Sequence, residues 1–208
     1  MSLPAGVTNR IILARHGEPV AATKGMVYGK LDVELSEVGK AQIKNTAKWL
    51  EKFNAAAIYS SPRIRAAESA RIAADQLDLE IILENRFAEM DFGDLEGSTY
   101  DDVKTRFPKI YECWMTKPTT VEFPNGESFT IMRRRVLAAI DELKTRHTNQ
   151  TLVIFSHGGV NRIALTEALN LPPENLFRLE QNCGCANVID FYDDYPVVRV
   201  INHNFGEF

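Results

Sequence analysis

The sequence predicts an α/β fold, a three-layer sandwich around a mostly parallel central sheet with a lid-like insertion. Short apolar, partly β-branched runs alternate with longer segments whose apolar residues recur at helical spacing. The alternation continues on both sides of a single irregular stretch at about 92–126. A length of 208 residues, 45% of them hydrophobic, is enough for one domain over 1–208 with its own core.

The elements follow in order. Ile11 to Ala14 reads as a buried strand running into Arg15-His16-Gly17. Ser36 suits an N-cap, and Val38, Ala41, Ala47 and Leu50 give a helix over Glu37 to Phe53. A strand at Ala57 to Tyr59 follows, then Pro62 at a first helical turn. Ile64, Ala67, Ala70, Ala73 and Ala74 form the apolar stripe of the next helix, and Ile81 to Leu83 is a third strand. Between Phe92 and Gly126, glycine, proline, aromatic and charged residues mix without one period, which reads as the insertion. Beyond it come a helix over Ser128 to Arg146, a strand at Thr151 to Phe155, and a helix at Asn161 to Leu169. Strands at Ala186 to Tyr192 and Val197 to Ile201 flank the turn Asp193-Asp194-Tyr195-Pro196 and supply an antiparallel edge.

Composition narrows the function. A formal net charge of −4 argues against nucleic acid or an anionic membrane as the main partner. No apolar run reaches membrane-spanning length and no secretory signal is evident, so the expected location is the cytoplasm. Cys113, Cys183 and Cys185 are too few for a disulfide framework, in keeping with a reducing compartment. Nothing in the sequence sets an oligomeric state.

Two His-Gly pairs stand directly after strands: His16-Gly17 and His157-Gly158. Both belong at carboxyl ends of sheet strands, where open α/β sheets bind ligands. Glycine there lets backbone approach a ligand, and free N–H groups at a turn or helix start cradle an anion. Arg15 offers a guanidinium that grips phosphate oxygens in a bidentate way, and Arg63 or Arg65, after the strand ending near Ser60-Ser61, could complete the clamp. Phosphoryl transfer needs a nucleophile, groups that hold the transferring oxygens, and an acid for the leaving alkoxide. One histidine can attack while the other helps hold the oxygens. Glu89 is the acid candidate, and spacing alone leaves Asp91, Asp94 and Glu96 as rivals.

These residues also carry a family resemblance. Leu13-Ala14-Arg15-His16-Gly17-Glu18 resembles the signature of the histidine phosphatase superfamily, which includes phosphoglycerate mutases and small-molecule phosphatases. Gly29 to Gly39, Ser60 to Ala66, Glu89 to Gly97 and Ser156-His157-Gly158-Gly159 look like its later motifs, so the resemblance runs from about Arg10 to Asn202. It implies a phosphoglycerate mutase-like sandwich, His16 as phosphorylated nucleophile, and Glu89 as proton donor and later base for water. It assigns Arg15, Arg65 and His157 to the phosphoryl group, with Gly158 beside them, and needs no metal or cofactor. Arg65, the arginine just before Ala66, is preferred to Arg63. Where many members carry Thr and then a phosphate-contacting Asn, this chain reads Pro19-Val20-Ala21-Ala22-Thr23, leaving Thr23 as a substitute candidate. Glu68-Ser69-Ala70 stands where many have Gln-Thr-Ala.

The implied partner is a small-molecule phosphomonoester. Chain length, Phe92 to Gly97, Pro124 to Ser128 and Asn182-Cys183-Gly184-Cys185 look most like the α-ribazole phosphatase branch, whose substrate would be α-ribazole 5′-phosphate of cobalamin synthesis. Phe92, Tyr100, Trp114 and Phe123 could pack against its flat base or form lid core. A mutase, which retains a bisphosphate intermediate, calls for a basic cover. Tyr100 to Pro124 instead balances Lys104, Arg106, Lys109 and Lys117 against Asp101, Asp102, Glu112 and Glu122. A phosphoprotein phosphatase and a silent phospholigand-binding module are the remaining alternatives. His147, His203 and Arg63 read as structural or solvated, the Arg133-Arg134-Arg135 run as a solvated helix face, and the Cys183/Cys185 pair as packing residues.

Overall fold

The computed structural model describes residues 3–205, apart from the side chain of Ala22. Its strands are β1 (Asn9–Arg15), β2 (Ala57–Ser60), β3 (Ile81–Leu83), β4 (Gln150–Ser156), β5 (Ala186–Phe191) and β6 (Pro196–His203). Its helices are α1 (Glu37–Leu50), α2 (Ile64–Leu77), α3 (Tyr100–Arg106), α4 (Pro108–Thr116), α5 (Phe129–Arg146) and α6 (Gly158–Ala168). The sheet order is β3-β2-β4-β1-β5-β6. The first four pair in parallel, while β5 and β6 run antiparallel at one edge, as the sequence predicts.

Both sheet faces are covered, which is why β1 and β4 are continuous apolar runs rather than alternating ones. Ile12 and Ala14 of β1 join Ile43, Ala47, Leu50, Ala70, Ala73 and Ala74 of α1 and α2 in one buried cluster. Ile11 and Leu13 point the other way, into a cluster with Val136, Ala139 and Ile140 of α5 and Ile163 and Ala164 of α6. The alanine stripe of α2 presents a shallow surface that lets α1 and α2 share one face of the sheet. The second cluster extends through Leu95, Trp114, Val121 and Phe123 of the 92–126 segment. Each fully buried Leu or Ile here contributes about 1.5–3 kcal/mol of transfer free energy.

Local signals account for most element boundaries. Ser36 caps α1 by accepting from Gly39 N at 3.0 Å, and Ser128 caps α5 from Ile131 N at 3.3 Å. The helix expected to reach Phe53 is α-helical to Leu50 and closes with a 3-10 turn, stopped by Asn54 in the left-handed region (φ 49°).

Some expectations are corrected. Pro62 lies outside α2, because Arg63 is the extended N-cap residue, and Ile64 is exposed rather than part of the buried stripe. The 92–126 segment is not irregular throughout. Thr99 and Asp102 form a reciprocal capping box that starts α3, and Pro108 opens α4. Helix α6 begins at Gly158, three residues before the expected Asn161. No helix among the described residues is long and apolar enough to cross a membrane.

Candidate active site

The sheet register assembles the site. Strands β1 and β4 pair in parallel with Arg15 opposite Ser156, so His16 and His157 leave the sheet side by side. Their ring centroids are 5.2 Å apart. Ser60 lies opposite Phe155, which brings Ser61 to the same edge, and its Oγ is 2.8 Å from His157 Nε2.

His16 is almost fully buried, with Nδ1 2.7 Å from Gly17 O. A carbonyl only accepts, so Nδ1 carries the hydrogen and Nε2 keeps a lone pair. Burial lowers its pKa well below 6.5, reinforced by the charges of Arg15 and Arg65. The imidazole is therefore neutral at physiological pH. His157 is likewise held neutral, first by burial and then by Arg65, His16, Arg15 and Arg63. Its Nδ1 is buried without a hydrogen-bond partner.

Arg65 is fully buried, donates to Gly29 O (2.9 Å) and Leu31 O (3.0 Å), and lies 5.1 Å from the Tyr28 ring. Arg15 donates to Gln181 O. Neither forms an ion pair with a carboxylate among the described residues, and the Nε of each is buried without a partner. Guanidiniums held only by backbone carbonyls keep their charge for an incoming anion.

Glu89 reaches the same place from the loop after β3. Its Oε1 accepts from Met90 N (3.0 Å) and its Oε2 from Gly159 N (3.1 Å), the second N–H belonging to the first turn of α6. A Cβ on Gly159 would overlap Glu89 Oε1, so glycine is what permits this approach. The rivals are engaged elsewhere. Glu96 accepts from Gly29, Lys30, Leu31 and Phe92 N–H groups, Asp91 from Gly93 N while pairing with Lys30, and Asp94 from Asn125.

Arg15, His16, Arg65, Glu89 and Gly158 thus line one cavity of about 670 Å³, with His157 fully buried beside His16. Thr23 also lines it, but its hydroxyl donates to Val20 O at 2.9 Å. The cavity also has an aromatic lining, from Phe92, Tyr100, Trp114, Phe123, Phe129 and Phe177. The four aromatic residues singled out in the sequence are both cavity wall and packed on one another, Tyr100 stacking on Trp114 at 5.5 Å.

Sequence reasoning missed several contributors. Arg135, read with its neighbours as solvated, donates to the carbonyls of Arg86 and Ala88 (2.7 Å each) and Glu89 (3.2 Å) while Glu127 holds its other face. It therefore fixes the backbone that carries Glu89. Arg63 is half-buried with an unpartnered Nε, not solvated: it occupies the N-cap position of α2 and its guanidinium pairs with Asp32 at 4.0 Å. Ser156, Asn161, Gln181 and Asn187 form a buried chain of side-chain hydrogen bonds behind Arg15, ending on Leu13 O. Arg162 and Tyr28 line the cavity as well. Arg162 becomes visible from sequence only once α6 starts at Gly158, since positions four apart share a helix face. His147 bonds the Tyr59 hydroxyl (2.8 Å) and His203 packs near Trp49, both structural as expected. No group able to hold a metal occurs among the described residues.

The profile of the histidine phosphatase superfamily (branch 1) matches residues 11–204. The chain belongs to this superfamily. The expected enzyme class, a phosphatase of the histidine phosphatase superfamily, stands with that membership. Among relatives, it is 38% identical over 148 residues to phosphoserine phosphatase 1 of Hydrogenobacter thermophilus, covering 71% of this chain and 70% of that one. It is 31% identical over 195 residues to the adenosylcobalamin/α-ribazole phosphatase of Salmonella typhimurium, covering 93% and 96%. The crystal structure of the α-ribazole phosphatase from Shigella flexneri superposes with a TM-score of 0.85 at 27% identity, over 93% of this chain and 96% of that one. The chain spans about half the length (54%) of its longer mycobacterial relatives.

Proposed function

We propose that this histidine phosphatase hydrolyses a small phosphomonoester through a phosphohistidine on His16. The observation that carries the proposal is a buried, neutral imidazole with a free Nε2 set beside Arg15, Arg65 and His157, with Glu89 on the same cavity. The guanidiniums and His157 hold the equatorial phosphoryl oxygens, and His16 Nε2 attacks phosphorus in line. As the P–O ester bond breaks, its electron pair stays on the leaving oxygen and Glu89 supplies the proton. The Glu89 carboxylate then takes a proton from water, the resulting hydroxide attacks phosphorus, the P–N bond breaks and inorganic phosphate departs. His16 and the acid form of Glu89 are restored.

The whole chain acts as one domain in this reading, and 92–126 serves as a lid, since Phe92, Tyr100, Trp114 and Phe123 of that segment wall the cavity. The favoured substrate is α-ribazole 5′-phosphate. The similarity to α-ribazole phosphatases over nearly the full chain supports it, as does an aromatic wall suited to a flat base. Phosphoserine is a second reading, favoured by the 38% identity to phosphoserine phosphatase 1. Metal-free phosphate release from α-ribazole 5′-phosphate, phosphoserine, 3-phosphoglycerate and a phosphotyrosyl peptide tests both, with His16→Ala as control. A dominant rate on α-ribazole 5′-phosphate supports the favoured reading, a dominant rate on phosphoserine replaces it, and a dominant rate on the peptide moves the substrate to phosphoprotein.

A further inference from the structure

The cavity holds a third arginine for which the two-arginine phosphoryl clamp has no use. Arg162 projects from the first turns of α6 and is half-buried. Its Nε donates to Leu179 O at 2.8 Å and its guanidinium carbon lies 5.4 Å from the Phe177 ring centroid. These contacts fix the plane of the group while using one of its five donors. It forms no ion pair among the described residues, although the site already contains the positive charges of Arg15 and Arg65.

Its position within the cavity is specific. A Cβ built on Gly158 would lie 2.9 Å from Arg162 Nη1 and 3.7 Å from the Arg15 guanidinium, so both cations converge on the same backbone point. The neighbouring glycine, Gly159, is the one pressed by the Glu89 carboxylate. The glycine pair thus clears space for two side chains at once, and the Arg162 guanidinium borders both the phosphoryl clamp and the proposed acid. Arg15, Glu89 and Gly158 line the cavity together with Arg162. A cation there meets what every phosphomonoester has in common, not the part that differs between substrates.

We propose that Arg162 is a further catalytic residue, one that donates from its Nη groups to the bridging ester oxygen and stabilises the charge developing there. This rests on the phosphatase reading above. When the P–O bond breaks, the electron pair moves onto that oxygen, Glu89 delivers the proton, and Arg162 keeps all of its own. The two groups divide the work: Arg162 lowers the cost of the charge before the proton arrives, and Glu89 removes it. The contribution is largest where the leaving oxygen is most basic.

The test is a leaving-group series, from p-nitrophenyl phosphate through phenyl phosphate to alkyl phosphates, with wild type, Arg162→Gln and Arg162→Lys. The expected result for Arg162→Gln is a loss in kcat of about 10²–10³-fold on alkyl phosphates. On p-nitrophenyl phosphate the loss stays below about tenfold, so the dependence of rate on leaving-group pKa steepens. Arg162→Lys restores part of the alkyl rate, because a lysine keeps the charge without the fixed plane. Equal losses across the series in Arg162→Gln, with wild type active, would overturn the assignment to the ester oxygen and leave the phosphatase reading intact. A rise in KM with kcat unchanged would overturn it too, placing Arg162 in substrate binding. A wild type inert on every ester, under conditions where it is folded, would overturn both readings together.

Discussion

At the scale of single residues, the chemistry turns on protonation and on fractions of an ångström. Because His16 is held neutral by burial, Arg15 and Arg65, the acid limb that the proposed nucleophile would impose on kcat/KM lies well below pH 6.5. After correction for the substrate's own phosphate ionisation, the pH profile should show no loss with a midpoint at 6.5. A midpoint there would mean an imidazole exposed to solvent. Gly159→Ala tests the other half of the site. The new methyl group displaces the flexible end of Glu89 rather than backbone, so the fold should survive with its melting temperature nearly unchanged. The kcat on alkyl phosphates should fall by more than about tenfold, as the acid is pushed off its position. The histidines, Arg15, Arg65 and Glu89 were legible as candidates because each sits beside a strand end. Arg135 and Arg162 were not, since an arginine in a helical stretch carries no sign of which face it occupies. Only the packed helix tells a carbonyl-binding arginine from a solvated one.

At the scale of elements, the loops around the sheet edge are fixed by charge on backbone. Glu96 gathers four N–H groups from Gly29, Lys30, Leu31 and Phe92, and the carbonyls of Gly29 and Leu31 in turn hold Arg65. Glu96→Ala removes a charged acceptor from that array and should cost roughly 2–3 kcal/mol in urea unfolding. Phosphate affinity should weaken as well, because Arg65 loses its seat; unchanged affinity in a destabilised variant would separate the two roles. The strands and the long helices were readable from periodicity. The start of α6 was not, because two glycines score as a turn by propensity. They are tolerated in a first helical turn, where the N–H groups have no intrahelical partner, and the side chains crowding them require it. Within 92–126 the mixed composition hid α3 and α4, which are short and packed by aromatic contacts rather than by a repeating stripe.

At the scale of the whole molecule, function and stability are coupled through the same buried groups. His16 and His157 both have folded-state pKa values below their unfolded value of about 6.5. Between those limits the unfolded chain binds protons that the folded chain does not, so stability rises with pH through this window and levels off above it. Acidification from pH 6.5 should therefore lower stability with a slope of at most about 1.4 kcal/mol per pH unit for each histidine. His16→Ala should make that slope shallower; an unchanged slope would mean that other groups dominate acid unfolding. The sandwich itself was predictable from alternation, but the adjacency of β1 and β4 was not. They are separated by most of the chain, and no local signal states which strands pair. That one pairing converts two separate His-Gly motifs into a single site.

The central claim, covalent catalysis at His16, is tested most directly by rapid acid-free quenching of enzyme with a phosphomonoester, followed by mass-spectrometric mapping of the phosphoryl group. The account predicts a phosphorylated imidazole in the peptide containing His16, formed at a rate no slower than turnover and absent in His16→Ala. Turnover with the phosphoryl group on another residue, or undiminished in His16→Ala, would contradict it.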